Sequence, residues 1–298
     1  MVRAGVVQSI AIGRAALVNQ ARGMRAKALP IYDSSALRIP LLYELQELVR
    51  YRFLLWNLIV KDLKVRYKRS SIGFIWVMLN PLLTMAVLTL VFSEVFRFNL
   101  DHYAAQLLGG TLVWNLYAQG TNASMASLQG NGIILRKLYV PPSVFVASAI
   151  GSALVNFVFA LAPFLLVTLY NGVSPSFTWL FMIVPAVLAT LFSFGLGLIV
   201  AALVAFFNDI FEIYQVLLSA YYFLTPIFYP LSSLPEPLRS MEQYNPMYLF
   251  IDMFRAAVIH DTLPGLRELL VAAAIALGTL LVGWVIFTRV EGKFVYQF

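Results

Sequence analysis

Long uncharged runs divide the chain into candidate membrane-spanning segments. Each run is long enough to cross a hydrocarbon layer about 30 Å thick as a helix, although the fifth is marginal. The runs lack the period-two alternation of barrel strands, and lipid admits only helices or closed barrels. We therefore expect an all-α integral membrane protein with six transmembrane helices. The predicted spans are Ile72–Phe96, Ala104–Leu128, Ser143–Tyr170, Trp179–Phe206, Ile213–Tyr229 and Leu269–Thr288.

The longest stretch without a charged residue or histidine includes Ser143 to Phe207, which is 65 residues. As one helix it would be roughly 98 Å long, about three times the thickness of the hydrocarbon layer. The run must fold back on itself, and Asn171-Gly172-Val173-Ser174-Pro175 is the turn-forming cluster inside it. The run is therefore predicted to hold two spans.

Residues 50–71, before the first span, combine apolar and basic side chains. Phe53, Trp56, Ile59, Leu63 and Tyr67 recur at spacings of three or four, so one helix face can be apolar. We predict an amphipathic helix in the cytoplasmic interface, with its basic residues among lipid headgroups. The alternative is a positive anchor for the first span. The residues assigned to the membrane interface are Trp56, Lys61, Lys64, Arg66, Lys68 and Arg69.

A second segment outside the spans, Leu231–Glu268, lies between spans five and six. It is rich in proline, and its apolar part, Met247–Ile259, is interrupted by Asp252 and Arg255. Those two residues are three apart, so they could pair on one helix. We predict an outer re-entrant or interfacial helical segment here, with an ordinary outer loop as the alternative.

The distribution of Lys and Arg sets the orientation of the chain. Hydrophobic residues make up 61% of it and charged residues only 12%. With six spans, 17 of the 21 basic residues lie on one side, and the positive-inside rule makes that side cytoplasmic. Both termini are therefore predicted in the cytoplasm, with residues 1–49 as a basic cytoplasmic region. We assign the net charge of +7 to topology and contact with membrane lipid, not to nucleic acid.

The chain lacks the groups that catalysis would require. The sole Gly-Lys pair, Gly292-Lys293, is not preceded by a phosphate-binding loop, and there is no cysteine. His102 and His260 both fall at the predicted outer surface, so the spans contain no metal-ligand set and no acid–base pair. We expect no catalytic residue, metal or cofactor on this chain. Because ionisable relays are also lacking, a transporter built on it would take its energy from another chain.

Polar and aromatic side chains concentrate in the second and fifth spans. Tyr and Trp offer a flat apolar face with a hydrogen-bonding edge, which suits a polar, ring-shaped substrate such as a sugar. Aromatic belts and helix–helix contacts are the alternative for any one of these residues. Gly195-Leu196-Gly197 is interpreted as a helix-packing motif. The residues assigned to a substrate conduit are Trp114, Tyr117, Thr121, Tyr221 and Tyr222.

Several motifs together resemble the permeases of ABC-2 type transporters, especially those that export cell-surface polysaccharides such as O-antigen, capsule and teichoic acid. The resemblance covers about residues 45–298. It departs from the family pattern in the longer basic N-terminal region and in Asn208, where Arg is frequent. The matching segments are KDLKVRYKRSSIGFIWVMLNP (Lys61–Pro81), NGIILRKLYVP (Asn131–Pro141), FNDI (Phe207–Ile210), LTPIFY (Leu224–Tyr229) and YNP (Tyr244–Pro246).

The resemblance implies a homodimer of this chain with two copies of a cytoplasmic ABC ATPase subunit, which would bind ATP and Mg. It also implies that residues 72–298 form an ABC-2 type transmembrane domain in a bacterial inner membrane. It also implies ATPase-coupling contacts, for which positive-inside anchoring is the alternative reading of the loop charges. The coupling residues would be Arg136, Lys137, Tyr139, Pro141 and Asp209.

The function expected from these features is that of a permease subunit exporting lipid-linked polysaccharide, driven by the separate ATPase. Two alternatives are an ABC-2 exporter of a drug or lipid and a membrane-embedded transferase. The missing acid, base and metal ligands argue against the transferase.

Overall fold

A computed structural model of the protein describes residues 46–68, 70–91, 102–132, 140–242 and 244–296, all within the unit Pro40–Phe298. Predictions for residues 1–45, Arg69, Arg136, Lys137 and Tyr139 lie outside these ranges. The described part is helical and has no strand, as the sequence predicts. Its α-helices are α1 (Arg52–Tyr67), α2 (Trp76–Leu90), α3 (Tyr103–Gly130), α4 (Ser143–Tyr170), α5 (Ile183–Phe206), α6 (Asp209–Leu224), α7 (Glu236–Glu242), α8 (Pro246–Val258) and α9 (Leu266–Val290).

Short 3₁₀ segments join or extend some of these helices. Gly73–Ile75 leads into α2, Phe177–Met182 leads into α5, Leu231–Ser233 precedes α7, and Glu291–Tyr296 follows α9. The predicted turn inside the long uncharged run is confirmed, because α4 ends at Tyr170 and Gly172 has a φ of 84°. Glycine adopts such an angle without the steric cost that a Cβ brings.

Three stretches of the described residues are long and apolar enough to cross a membrane: Ser143–Tyr170, Phe177–Phe206 and Leu266–Phe294. They overlap the third, fourth and sixth predicted spans. The helix α3 is 28 residues long, or about 42 Å, but it is interrupted by amide and hydroxyl side chains. The helices α2 and α6 are shorter, with 15 and 16 residues. The full set of six spans stays a prediction.

The helix α3 lies at the centre of the bundle and packs against α4 and α5, while α9 packs against α5. The α5–α9 contact is very close, since a Cβ built on Gly283 would come 2.1 Å from the carbonyl oxygen of Gly195. A Cβ on Gly197 would come 2.7 Å from Ser124 Oγ of α3. Small residues let helix backbones approach in this way. The interpretation of Gly195-Leu196-Gly197 as a packing motif is confirmed.

The predicted helix within residues 50–71 is present as α1, and one side of it packs on the bundle. Leu58 and Ile59 are buried, and Ile59 lies against Gly151 of α4. Phe53 and Trp56 are instead 72% and 60% exposed. The prediction of one apolar face on this helix stays a prediction. Packing on α4 selects the side centred on Leu58 and Ile59, and this leaves the aromatic pair on an open surface.

The predicted helical segment between spans five and six is present as α8, preceded by the short α7. Its start follows from sequence, because Pro246 occupies the first turn and the side chain of Asn245 accepts hydrogen bonds from the backbone N–H groups of Met247 and Tyr248. Most of α8 is buried in the bundle, with Phe250 and Phe254 in full contact with the core. An exposed outer loop is therefore excluded for Pro246–Val258.

Candidate functional site

A polar cavity of 370 Å³ opens between the helices of the bundle. Its walls come from α2, α3, α4 and α6, and Arg66 reaches it from α1. The volume falls in the range of small-molecule sites, about 300–1,000 Å³. No carboxylate is among its lining residues. We call this site the amide cavity, after the residues that carry its chemistry: Arg66, Asn80, Asn115, Gln119, Asn156 and Tyr222.

A hydrogen-bonded core of three side chains organises the amide cavity. The Oε1 atom of Gln119 accepts from Arg66 Nη1 at 3.2 Å and from Asn156 Nδ2 at 3.1 Å. Asn156 is only 5% exposed, and its Oδ1 atom has no hydrogen-bond partner in the described structure. A buried amide normally satisfies both its donor and its acceptor. Asn156 Oδ1 is thus an enclosed acceptor that the described protein leaves unsatisfied.

Further polar groups lie along the same walls. The Thr84 hydroxyl donates to Asn80 Oδ1 across one turn of α2 at 3.4 Å. Asn115 lies one turn above Gln119 on α3 and forms no hydrogen bond within the described ranges. Three helices, α2, α3 and α4, thus place amide side chains around the same cavity.

An aromatic wall closes the side formed by α6. Tyr222 lines the cavity, and the ring of Trp114 packs behind it with centroids 5.1 Å apart. Trp114 also contacts the rings of Tyr117 and Tyr221, at 5.4 and 5.3 Å. The aromatic cluster therefore supports the position of Tyr222.

The five predicted conduit residues occupy different places around this wall. Tyr222 alone among them lines the cavity. Trp114, Tyr117 and Thr121 are buried in the interior of the bundle, and the Thr121 hydroxyl donates to the Tyr117 carbonyl. The Tyr221 hydroxyl is bonded to Asn245, at the start of α8. The assignment of all five to substrate contact stays a prediction.

The amides of the cavity are not among the site residues predicted from the sequence. Asn115 and Gln119 belong to the polar residues of the second span, but the residues predicted there for the conduit are Trp114, Tyr117 and Thr121. Asn156 is one of two amides in the 65-residue uncharged run, the other being Asn171 in the turn, and within a span it is indistinguishable from a helix-contact residue. That Asn156 lies beside the amides of α3 can be recognised only once the packing of α3 on α4 is known.

The residues predicted at the membrane interface divide into two groups. Trp56, Lys64 and Lys68 are exposed, and Lys61 donates to Asn131 at 3.2 Å. Arg66 is also exposed, but its guanidinium reaches Gln119. From Asn131 to Gln119 is 12 residues along α3, or about 18 Å. The basic end of α1 therefore follows α3 toward the cavity, while contact of these residues with lipid stays a prediction.

Of the predicted coupling residues, the structure describes Pro141 and Asp209. Pro141 is partly buried just before α4, and Asp209 is exposed as the first residue of α6. Next to Asp209, Asn208 Oδ1 accepts from Gln129 Nε2 at 2.9 Å, which joins the end of α3 to the start of α6. A displacement at Asp209 would thus reach two helices that line the cavity.

A second polar group of residues lies at the other end of α6, around α8. Arg255 is 9% exposed and donates three hydrogen bonds to backbone carbonyls: Nε to Gln106 at 2.9 Å, Nη1 to Pro226 at 3.1 Å and Nη2 to Ile227 at 2.8 Å. The anticipated Asp252–Arg255 salt bridge is not among the ion pairs of the described residues. We call Arg255, Asn245, Tyr221 and Tyr103 the α8 network.

The other members of the α8 network hold the same region. The Tyr103 hydroxyl donates to the Phe228 carbonyl at 2.8 Å, and Asn245 Nδ2 donates to Thr225 Oγ1 at 3.2 Å. Residues 225–229 form an irregular link after α6, and such a link needs side chains to satisfy its backbone. The α8 network provides them.

Comparison with known proteins places the bundle in a transporter class. Residues 54–259 match the family of ABC-2 type transporters, so the chain belongs to that family. It is 33% identical over 235 residues to an O-antigen export system permease protein, RfbA, from Myxococcus xanthus, covering 78% of this chain and 90% of the relative. The resemblance inferred from the sequence motifs is confirmed.

Two more distant relatives have related names. The polysialic acid transport protein KpsM of Escherichia coli is 22% identical over 238 residues, which is 78% of this chain and 92% of KpsM. The capsule polysaccharide export inner-membrane protein CtrC of Neisseria meningitidis is 22% identical over 222 residues, covering 73% of this chain and 83% of CtrC. The relatives are transport proteins for different polysaccharides.

Proposed function

We propose that this chain is the membrane permease subunit of an ABC exporter for lipid-linked polysaccharide. The observation that carries the proposal is an amide-rich cavity with an aromatic wall inside a bundle of the ABC-2 type transporter family. Its relatives are named for export of O-antigen, polysialic acid and capsule polysaccharide. Amides and aromatic faces suit hydroxyl-bearing rings, so the cavity chemistry agrees with those names.

The energy for transport would come from a partner. The chain has no phosphate-binding loop in its sequence, which supports a separate ATPase subunit that binds ATP and Mg. We propose a homodimer of this chain with two ATPase subunits in a bacterial inner membrane, with six spans and both termini in the cytoplasm. The distribution of Lys and Arg supports this orientation.

Coupling to the ATPase is assigned to Arg136, Lys137, Tyr139, Pro141 and Asp209. The exposure of Asp209 and the Gln129–Asn208 hydrogen bond support the part of this assignment that the structure describes. A charge reversal, Asp209→Lys, should weaken co-purification of the ATPase and lower export, while the chain still inserts. The matched control Glu236→Lys, on the exposed α7, should do neither.

Export itself is tested by deleting the gene and restoring it, with surface polysaccharide as the readout. Wild-type chain should restore the polysaccharide only when the ATPase is co-expressed, and the purified chain alone should hydrolyse no ATP. Robust hydrolysis by the isolated chain, or unchanged surface polysaccharide after deletion, would contradict the proposed function. Loss of a drug or lipid from the medium, with polysaccharide intact, would favour the alternative substrate class.

A further inference from the structure

The last turn of α1 is attached to the rest of the bundle by one hydrogen bond. The middle of the helix is fixed, because Leu58 and Ile59 are buried. Beyond them, the residues at positions 64, 65, 66 and 68 are exposed. Among the described contacts of this turn, the hydrogen bond to the bundle runs from Arg66 Nη1 to Gln119 Oε1 of α3 at 3.2 Å. A single side-chain contact thus holds the end of α1 in place.

Arg66 is held much more loosely than the buried arginine of the α8 network. Arg255 is enclosed and donates to three backbone carbonyls, whereas Arg66 is exposed and donates to one neutral amide. Water competes for an exposed guanidinium, and a neutral acceptor binds it less strongly than a carboxylate would. No carboxylate is among the residues that line the amide cavity. The contact between Arg66 and Gln119 is therefore one that can break and re-form.

A second partner for Arg66 lies on its own helix. Asp62 is four residues before Arg66, and side chains at this spacing are neighbours on a helix surface. In the structure Asp62 Oδ1 lies 3.7 Å from Lys61 Nζ, and it forms no ion pair with Arg66 within the described ranges. The guanidinium therefore has two arrangements open to it, one on Gln119 of the bundle and one on Asp62 of α1.

The link from α1 to α2 is built to allow such a change. Gly73 has a φ of 60°, and a Cβ added there would meet nothing within 4 Å. Its backbone N–H donates to Ser70 Oγ at 3.1 Å, and the residues at positions 71, 72, 75 and 76 are exposed. Hinges are short links of this kind, which absorb a change in backbone angles. Because Arg66 and Trp76 both line the amide cavity, motion of this link would change one edge of the cavity.

We propose that Arg66 and Gln119 form a releasable latch, which holds the end of α1 against the amide cavity and opens in each transport cycle. On opening, the Arg66 guanidinium leaves Gln119 Oε1 and pairs with the Asp62 carboxylate. The last turn of α1 then moves away from α3 about the buried middle of the helix. This inference rests on the proposed function and adds a regulatory contact to it.

The contact between Lys61 and Asn131 has a different place in this device. Lys61 Nζ donates to Asn131 Oδ1 at 3.2 Å, and Lys61 is only two residues after the buried Ile59. A residue so close to the fixed part of α1 moves little when the last turn swings. The Lys61–Asn131 contact therefore persists in both states, and it serves as the matched control for the latch.

The first test strengthens the latch and then removes it. Gln119→Glu places a carboxylate opposite Arg66, so the latch should stay closed and surface glycan per folded transporter should fall several-fold. Adding Arg66→Gln to that variant removes the guanidinium and should restore most of the export. Arg66→Gln alone should keep most of the export, because it removes only the closed contact.

The double variant decides between a latch and a defect caused by charge alone. If the carboxylate itself harmed transport, removal of the guanidinium would leave it unpaired and deepen the loss. Normal export by Gln119→Glu, a defect that Arg66→Gln deepens, or loss of export in Arg66→Gln alone would contradict the inference.

The second test locks the latch in folded, complete transporter. The chain has no cysteine, so Arg66→Cys/Gln119→Cys introduces the sole thiols of this chain, which a reducible bis-methanethiosulfonate linker can join. ATP hydrolysis by the complex with the ATPase subunit should fall several-fold on cross-linking and return on reduction. In the control pair, Lys61→Cys/Asn131→Cys, cross-linking should leave hydrolysis unchanged.

Unchanged hydrolysis after full cross-linking of positions 66 and 119, or an equal loss in the control pair, would overturn the latch. The proposed function fails by a different result, which is unchanged surface glycan when the chain is deleted. Loss of glycan on deletion together with full hydrolysis in the cross-linked transporter would leave the permease function standing and remove only the latch.

Discussion

Two polar regions of the bundle differ in whether their buried polar side chains are fully hydrogen-bonded. In the α8 network, Arg255 is 9% exposed and its Nε, Nη1 and Nη2 atoms each donate to a backbone carbonyl within 3.1 Å. In the amide cavity, Asn156 is 5% exposed and its Oδ1 atom has no described partner. One region satisfies its buried polar groups with its own hydrogen bonds, and the other leaves a buried acceptor unsatisfied.

We expect this difference to separate groups that hold the fold from groups that serve transport. An unsatisfied buried polar atom costs about 1–3 kcal/mol, so a fold gains nothing from it unless something else fills the position. A fully bonded buried group stabilises by satisfying the backbone around it. Changes in the α8 network should therefore reduce the amount of folded protein, and changes in the amide cavity should reduce transport by protein that is folded.

The largest effect is expected from Arg255→Leu. Three carbonyls would lose their donor, at roughly 1–3 kcal/mol each where no water replaces it. The melting temperature of the purified chain in detergent should fall strongly, with little folded protein in the membrane. Arg267→Leu, at an exposed arginine at the start of α9, should change neither. Normal folding of Arg255→Leu would show that the α8 network does not hold the fold.

A second stability effect is expected at the α5–α9 contact. In Gly283→Ala the new methyl would meet the backbone of Gly195, so the helices must move apart, at a cost of about 1–3 kcal/mol. Gly278→Ala is the matched control on the same helix, because nothing lies within 4 Å of its added Cβ. Thermal unfolding should distinguish the two variants. Identical melting temperatures would contradict the close approach.

Substitutions at the adjacent tyrosines of α6, Tyr221 and Tyr222, should show the different effects expected for the two regions. Tyr222→Ala removes a cavity wall and should lower export per folded transporter. Tyr221→Phe removes only the hydroxyl bonded to Asn245, so it should lower stability by about 0.5–1.5 kcal/mol and leave export per folded transporter unchanged. The opposite assignment would mean that Tyr221 faces the substrate.

The smallest effect is expected at Asp261, an exposed residue outside both regions that accepts side-chain hydrogen bonds. Hydrogen bonds from Ser176 and Thr178 hold the pKa of Asp261 below its ordinary value of 3.8. A carboxyl group whose pKa is lower in the folded state stabilises the fold at pH values above its pKa in the unfolded state. This stabilisation is lost as the pH falls through the pKa of the folded state. Asp261→Asn should therefore lower the melting temperature slightly at about pH 7 and less at about pH 3. A larger difference at the acid pH would contradict this sign.

The sequence predicts the long elements better than the faces they present. The span Ser143–Tyr170 coincides with α4, since the uncharged run and the turn at Asn171-Gly172 leave few alternatives. Spacing alone does not tell which side of α1 packs on α4. The aromatic residues of α3 were placed in a conduit, but most of them pack on one another. Periodicity does not distinguish a cavity wall from the interior of a bundle.

The most direct test is the ratio of surface glycan to folded transporter, measured in one strain for Arg255→Leu and Asn156→Leu. For Arg255→Leu, folded protein and glycan should fall together, so the ratio stays near that of the wild type. For Asn156→Leu, folded protein should stay near normal and the ratio should fall several-fold. A normal ratio for Asn156→Leu, or a reduced ratio with normal folding for Arg255→Leu, would contradict the distinction between the closed network and the open cavity.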